Sequence, residues 1–276
     1  MSLGFSALLV AASVLRVCAD PNNLPYSNAH GAGFENRIAE LVARDLGRRL
    51  VYEWRPQRRG FIRETLKADR CDLVMSVPGN ALRSAKGLPE RSAPDRFQGT
   101  WTTTPYYRST YVFVSKRANG PGVASLDDPR LRTLRIGIQI TGNDYNNPPA
   151  AQALAERKLA SNVRGYTVYG DYAQAEPQRA ILDAVARGDV DTAIVWGPLA
   201  GYYADPERVG LRTSRATLSG SPLRIAPVSP SSTFVFDIAM ATRRDDRELH
   251  DAVNRVIARR RSEIRRILQE YGVPLV

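Results

Sequence analysis

Hydrophobic positions along this chain follow two periods. Short apolar runs at residues 17–19 and 136–138 are of the kind that buried parallel strands show. Phe34, Ile38, Leu41, Val42 and Leu46 recur at helical spacing, and Gly47 supplies the C-terminal stop. Pro148 and Pro149 suit the start of another helix, which Ala153, Leu154 and Leu159 continue. Near the C-terminus, Leu249, Val253, Val256, Ile257, Ile264, Ile267, Leu268 and Tyr271 predict one long helix over about 246–271. Gly272-Val273-Pro274 ends it. Residues 110–115 alternate as a strand, and FVFDIAMATRR reads as another.

Two passages repeat at one offset. LRVCAD begins at Leu15 and LRIGIQ at Leu134, 119 positions on; Asp72 in LKADRCDLVMSVPG and Asp191 in VARGDVDTAIVWGP are 119 apart as well. Each half therefore runs strand, polar loop, helix, strand, helix, Asp, strand. This predicts an α/β protein built as a two-lobed clamp, each lobe an open mixed sheet flanked by helices. The expected division follows an apolar N-terminal segment, 1–14. It places residues 15–107 and 223–276 in lobe 1 and residues 108–222 in lobe 2.

Composition adds constraints on partners. With 276 residues, 43% hydrophobic and 24% charged, the chain matches an ordinary globular protein with a sizeable core. The net charge of +11 is nearly all arginine, Lys67, Lys86, Lys116 and Lys158 being the only lysines. Such a surface favours acidic partners. The arginines are scattered rather than gathered into one arm or stripe, which argues against nucleic acid. The cluster Arg259–Arg261 with Arg265 and Arg266 is expected to be a solvated helix face. MSLGFSALLVAASV is shorter than a bilayer span. It resembles the apolar core and cleavage end of a signal peptide, so export without stable membrane insertion is expected. Cys18 and Cys71, with His30 and His250, are too few and too dispersed for a metal site. The cysteines are either a disulfide, in an oxidising compartment, or two buried thiols.

Ligands of open α/β sheets bind outside the carboxyl ends of the strands. That rule selects the loops ADPNNLPYSN, VPGNA, TGNDYNNPP and WGPLAGYY. TTPYYRSTYVFVSKR leaves the first lobe, enters the second and runs beside the cleft. The candidate cleft residues are Asp20, Asn22, Asn23, Tyr26, Pro78, Tyr106, Tyr107, Arg108, Gln139, Asn143, Asp144, Asn146, Trp196 and Tyr202. Asp20 and Asp144 favour a cation or amine, and Arg108 opposes them. Asp144, Asn146 and Asn147 can equally cap the following helix and bind nothing. Neither histidine falls in these loops, so no Ser/His/Asp triad can be assembled, and no phosphate loop is present. An enzyme on this scaffold has only Asp20 and Asp144 as evident acid or base.

The order LRVCADPNNLPYSN, GFENRIAELVARDLG, QRRGF, CDLVMSVP, TTPYYRSTYVFV, SLDDPRLRTLRIGIQ, VYGDY, VWGPLAGYYA resembles one family over nearly the entire chain. It is similar to the J-type periplasmic proteins (MoxJ and XoxJ) encoded with bacterial methanol dehydrogenases, a branch of the type II periplasmic solute-binding proteins. The resemblance implies a non-catalytic periplasmic accessory without a cofactor of its own. Its partner would be a PQQ-containing methanol dehydrogenase of the lanthanide-dependent kind, which it aids in activation or maturation. The same fold permits an ABC-transporter receptor for a small polar solute. It also permits an enzyme such as a dehydratase of a cyclic precursor of aromatic amino acids. Two departures matter. GNALRSAKGLPERSAPDRFQGTWTT is longer than the family's loop at that place. Arg83 lacks the Thr-Pro-Glu context with which amino-acid-binding relatives grip a carboxylate, which points away from ordinary amino acids.

Overall fold

The first apolar run forms β1 (Val14–Ala19) in the computed structural model, which describes residues 13–79, 99–140, 148–167, 172–204, 223–229 and 234–276. A small ribbon of β2 (Asn22–Asn23) and β3 (Ser27–Asn28) follows, then α1 (Phe34–Asp45), β4 (Arg49–Trp54), the single turn α2 (Phe61–Glu64) and β5 (Leu73–Pro78). β6 (Thr100–Thr102) and β7 (Tyr107–Lys116) lead to the second unit. That unit comprises β8 (Ile136–Ile140), α3 (Pro149–Glu156), β9 (Val163–Thr167), α4 (Ala180–Arg187), β10 (Thr192–Trp196) and α5 (Gly197–Tyr203). β11 (Leu223–Pro227), β12 (Val235–Arg243), α6 (Arg247–Arg259) and α7 (Arg261–Glu270) complete it.

The strands run in the order β4-β1-β5-β12-β7-β10-β8-β9. In each unit the first strand lies between the second and third and parallel to both, β1 between β4 and β5, β8 between β9 and β10. β7 is shared: Tyr107–Thr110 pair with β12, and Tyr111–Ser115 pair with β10, both antiparallel. The two sheets thus form the two-lobed α/β clamp. β11, grouped with the first lobe by the sequence pattern, instead pairs with Val112–Lys116 of β7. The chain returns to the first sheet at β12.

The 119-residue repeat is visible as one repeated contact. The Arg16 N–H donates to Asp72 Oδ2 at 2.9 Å, its guanidinium Nη2 donates to Oδ1 at 2.7 Å, and the Asp72 N–H donates back to the Arg16 carbonyl at 2.8 Å. Arg135 and Asp191 reproduce these bonds at 2.8, 2.7 and 2.9 Å. Both clamps sit at the amino ends of their sheets, opposite the carboxyl ends that face the cleft. The first copy is reinforced by Arg243, at 3.3 Å from Asp72 Oδ1.

Local geometry explains the loop that carries Asp20 to Tyr26. Its Leu24–Pro25 bond is cis, and it folds back to cap α1. The Phe34 and Glu35 N–H groups donate to the Pro25 and Tyr26 carbonyls at 2.8 and 2.9 Å, which satisfies two donors that a helix start leaves free. Asn36 Oδ1 accepts from the Asn28 and Gly33 N–H groups. Position 33 must be glycine, because a Cβ there would lie 2.0 Å from the Tyr26 oxygen.

The C-terminal helix differs from expectation. It is two helices, α6 and α7, interrupted at Arg260, whose φ of −102° and ψ of 15° leave the helical region. Arg259 and Arg260 both reach the buried Asp45 carboxylate at the end of α1, Arg260 Nη2 at 2.7 Å. This part of the arginine cluster is therefore a tether between helices rather than a wholly free face. Cys18 and Cys71 form a disulfide with a Cα–Cα distance of 5.6 Å, packed among Phe61, Leu66, Val74 and Ala239. On the hinge side the core is continuous between units, where Phe34 meets Tyr107 and Tyr271 edge-on and Tyr202 stacks on Tyr271. Among the described residues, no helix is long and apolar enough to cross a membrane.

Candidate functional site

The carboxyl ends of the strands open into a cavity of about 400 Å³ between the units. Its first wall is built by Asn23, Tyr26, Gln57, Ser76, Val77, Pro78, Tyr107, Phe236 and Ile238. The facing wall consists of Tyr111, Gln139, Pro148, Pro149, Gln178, Trp196 and Leu199. Strand alternation puts Tyr107 and Tyr111, four residues apart on β7, on the same side. Tyr111, Trp196 and Phe236 form a ring cluster with centroids 5.2, 5.9 and 6.1 Å apart in tilted or edge-to-face geometry, the arrangement that aromatic quadrupoles prefer.

The polar lining is made of the amides of Asn23, Gln57, Gln139 and Gln178, the Ser76 hydroxyl and the tyrosine phenols. Asn23 Nδ2 donates to Gln57 Oε1 at 3.2 Å, and the Trp196 N–H donates to Gln139 Oε1 at 3.1 Å. No charged side chain lines the cavity among the described residues. Burial pushes the phenols of Tyr26 and Tyr107 well above their ordinary value and that of Tyr111 up to about 12, so all three stay neutral at physiological pH.

Asn23, Tyr26, Pro78, Tyr107, Gln139 and Trp196 thus converge on one cavity. Asp20 does not present a free charge to it. Its oxygens accept from the Asn22 and Gln57 N–H groups at 2.8 and 2.7 Å and from the Tyr172 hydroxyl. Asn22 joins the same bridge between units, donating from Nδ2 to the Gln174 carbonyl at 2.9 Å, while its own carbonyl accepts from Gln178 Nε2 at 3.2 Å. The Arg58 guanidinium lies 5.0 Å from the centre of the Tyr172 ring. Arg108 faces away from the cavity lining and pairs with Asp237 at 2.7 Å. Tyr202 is buried in the hinge core, and Tyr106 stands behind the wall with its hydroxyl 3.3 Å from Ser76 Oγ. Asn143, Asp144 and Asn146 lie outside the described residues, as do most of the long 79–103 segment and Arg83.

Sequence patterns missed Gln57, Ser76, Tyr111, Gln178 and Phe236. They also missed Glu35, a buried carboxyl in the first turn of α1 that accepts from the Ser76 hydroxyl. Burial pushes its pKa up to about 7, against the Ser76 hydrogen bond, and the negative Asp20 adds to the rise. QRRGF and FVFDIAMATRR contained weak signals for Gln57 and Phe236, a Gln and a Phe beside a strand end or within an alternating strand.

No protein-family model matches the chain. Protein MoxJ of Methylorubrum extorquens is 28% identical over 279 residues, covering 96% of this chain and 82% of its own length. Protein MoxJ of Paracoccus denitrificans is 27% identical over 277 residues, covering 98% and 92%. The crystal structure of the periplasmic binding protein XoxJ from Methylobacterium extorquens AM1 superposes with a TM-score of 0.68 at 31% identity, covering 95% of this chain and 99% of that one.

Proposed function

The chain belongs to the periplasmic binding proteins of the MoxJ and XoxJ type, and from that premise we propose that it is a periplasmic accessory of a methanol-oxidation system. It acts without catalysing a reaction, aiding the activation or maturation of a PQQ-containing methanol dehydrogenase of the lanthanide-dependent kind. Similarity to XoxJ along 99% of that chain's length carries the reading. Two features support it. The net charge of +11 suits an acidic protein partner, and Asp20, the described acid or base candidate, is already engaged by three donors from its own chain. PQQ belongs to the dehydrogenase; no cofactor is assigned to this chain. The lobes, with residues 15–107 and the C-terminal segment as one body and 108–222 as the body of the other, hold the cleft candidates as ligand contacts.

The test is association of the purified chain with the dehydrogenase at low and high salt, alongside dehydrogenase activity matured with and without the chain. Charged rim contacts are screened over about 8 Å at physiological ionic strength, so association should weaken as salt rises. A transport receptor for a small polar solute is the competing reading. Micromolar binding of an amino acid by calorimetry, with no association at any salt and no effect on maturation, would replace the first reading with the second.

A further inference from the structure

Among the described residues, the lining of the cleft is unlike a site for a charged solute. Five aromatic side chains and three prolines line it, and its polar groups are uncharged: amides, the Ser76 hydroxyl, the phenols of Tyr26, Tyr107 and Tyr111, and the Trp196 indole. An amino acid needs fixed counter-charges for its ammonium and carboxylate, because an unpaired charge moved out of water carries a large penalty. None is offered by the described lining residues: Arg108 is paired outside and Asp20 is engaged by three donors of its own chain. Glu35, behind Ser76, is turned onto that hydroxyl and has a pKa near 7 from burial, so it is no strong permanent anion. Aromatic walls alone can also hold cations, but a chain of net charge +11 raises the cost of bringing one in.

What the walls do offer is flat apolar area. Trp196 and Phe236 come from different sheets, and Tyr111 lies between them on the strand the sheets share. Pro78 on one wall and Pro148 and Pro149 on the other supply further rigid faces. The volume of about 400 Å³ lies in the range of small-molecule pockets, roughly 300–1,000 Å³. We infer that this cleft binds an uncharged, planar ring compound, held between the Trp196–Tyr111–Phe236 cluster and the proline faces. The inference rests on the cleft candidates being ligand contacts, not on the dehydrogenase partnership.

The experiment uses indole as the uncharged planar probe, with L-tryptophan, L-arginine and choline as charged comparisons. Binding to the full chain is followed by saturation-transfer NMR and calorimetry at neutral pH. Indole should bind, and each charged compound should bind about tenfold more weakly or not at all, a difference of about 1.4 kcal/mol. Phe236→Leu keeps apolar volume but removes a ring. It should weaken indole severalfold with an unchanged thermal midpoint, and Trp196→Ala should weaken it by about tenfold or more. No indole binding at millimolar concentration, charged compounds equalling indole, or both folded variants binding it as the parent does would overturn the inference. The dehydrogenase association assay contains no indole and the indole titration no dehydrogenase, so failure of one reading is distinguishable from failure of the other.

Discussion

Replacing Glu35 by Gln should stabilise the protein above neutral pH and flatten its response to pH. Glu35 is buried in the first turn of α1, and its hydrogen-bond partner is the Ser76 hydroxyl. Desolvation penalises the ionised form and outweighs that hydrogen bond, so the pKa rises from 4.5 to about 7. The gap corresponds to roughly 3 kcal/mol, an upper figure because a wall that relaxes or admits water reduces it. The first-turn position opposes it by only about 0.3–1 kcal/mol. Because the folded pKa lies above the unfolded one, the stabilising contribution is complete below 4.5 and is lost as pH rises through about 7. Glu35→Gln keeps the shape without an ionisable proton. Urea unfolding of parent and variant from about pH 5 to about pH 8 should therefore give curves that diverge upward in pH, the variant ahead by up to about 3 kcal/mol at the alkaline end. Glu176, also raised by burial, keeps its own slope in both proteins and cancels in the difference. Parallel curves, or a variant that loses as much stability as the parent between those limits, would refute the argument.

Two further outcomes follow from contacts distant from the cleft. Asp72→Asn should destabilise by about 2–4 kcal/mol, since it strips a buried carboxylate from Arg16 and Arg243; Asp191→Asn, at the more exposed single-arginine copy, should cost about 1 kcal/mol or less. For Asp72, burial pushes the pKa up, but its bonds to Arg16 and Arg243 hold it below the ordinary carboxylate value. That contribution is therefore present at neutral pH and fades as pH falls through its folded pKa; equal urea midpoints for the two variants would contradict the ranking. Removing the disulfide with paired Cys18→Ala and Cys71→Ala, which frees a loop of sequence separation 53, should cost about 4 kcal/mol by loop-closure entropy, and an unchanged thermal midpoint would count against it.

Much of the architecture was legible because the relevant signals are local or repeated. Arg16 with Asp72 and Arg135 with Asp191 stand 119 residues apart in the sequence and make the same contact in the structure. Pro78, Gln139 and Trp196 were legible as cleft residues since each lies at the carboxyl end of a strand. Phe236 and Gln178 carry no such mark, and they reach the cavity only through pairing and loop packing remote in sequence. The break at Arg260 was hidden for a similar reason. Arg259–Arg261 are compatible with a helix, and the Asp45 carboxylate on which Arg259 and Arg260 converge is more than two hundred residues away. Asp20 reads in the sequence as a cleft carboxylate, yet two of its three donors, Gln57 and Tyr172, belong to other segments.

The strand β7 has a mechanical consequence. A ten-residue strand whose first part is stitched to one sheet and whose remainder is stitched to the other changes partners between Thr110 and Tyr111. Among the described residues, no partner strand spans that junction, so a rotation of one body against the other would turn about it as an axle. Tyr107 and Tyr111 project from that axle into the cavity, on either side of Ser109, whose hydroxyl donates to the Pro274 carbonyl at 2.6 Å. A few degrees of torsion would change the angle between those two rings directly. A protein that grips either body at its outer surface would thereby adjust the fit of the cleft without touching it.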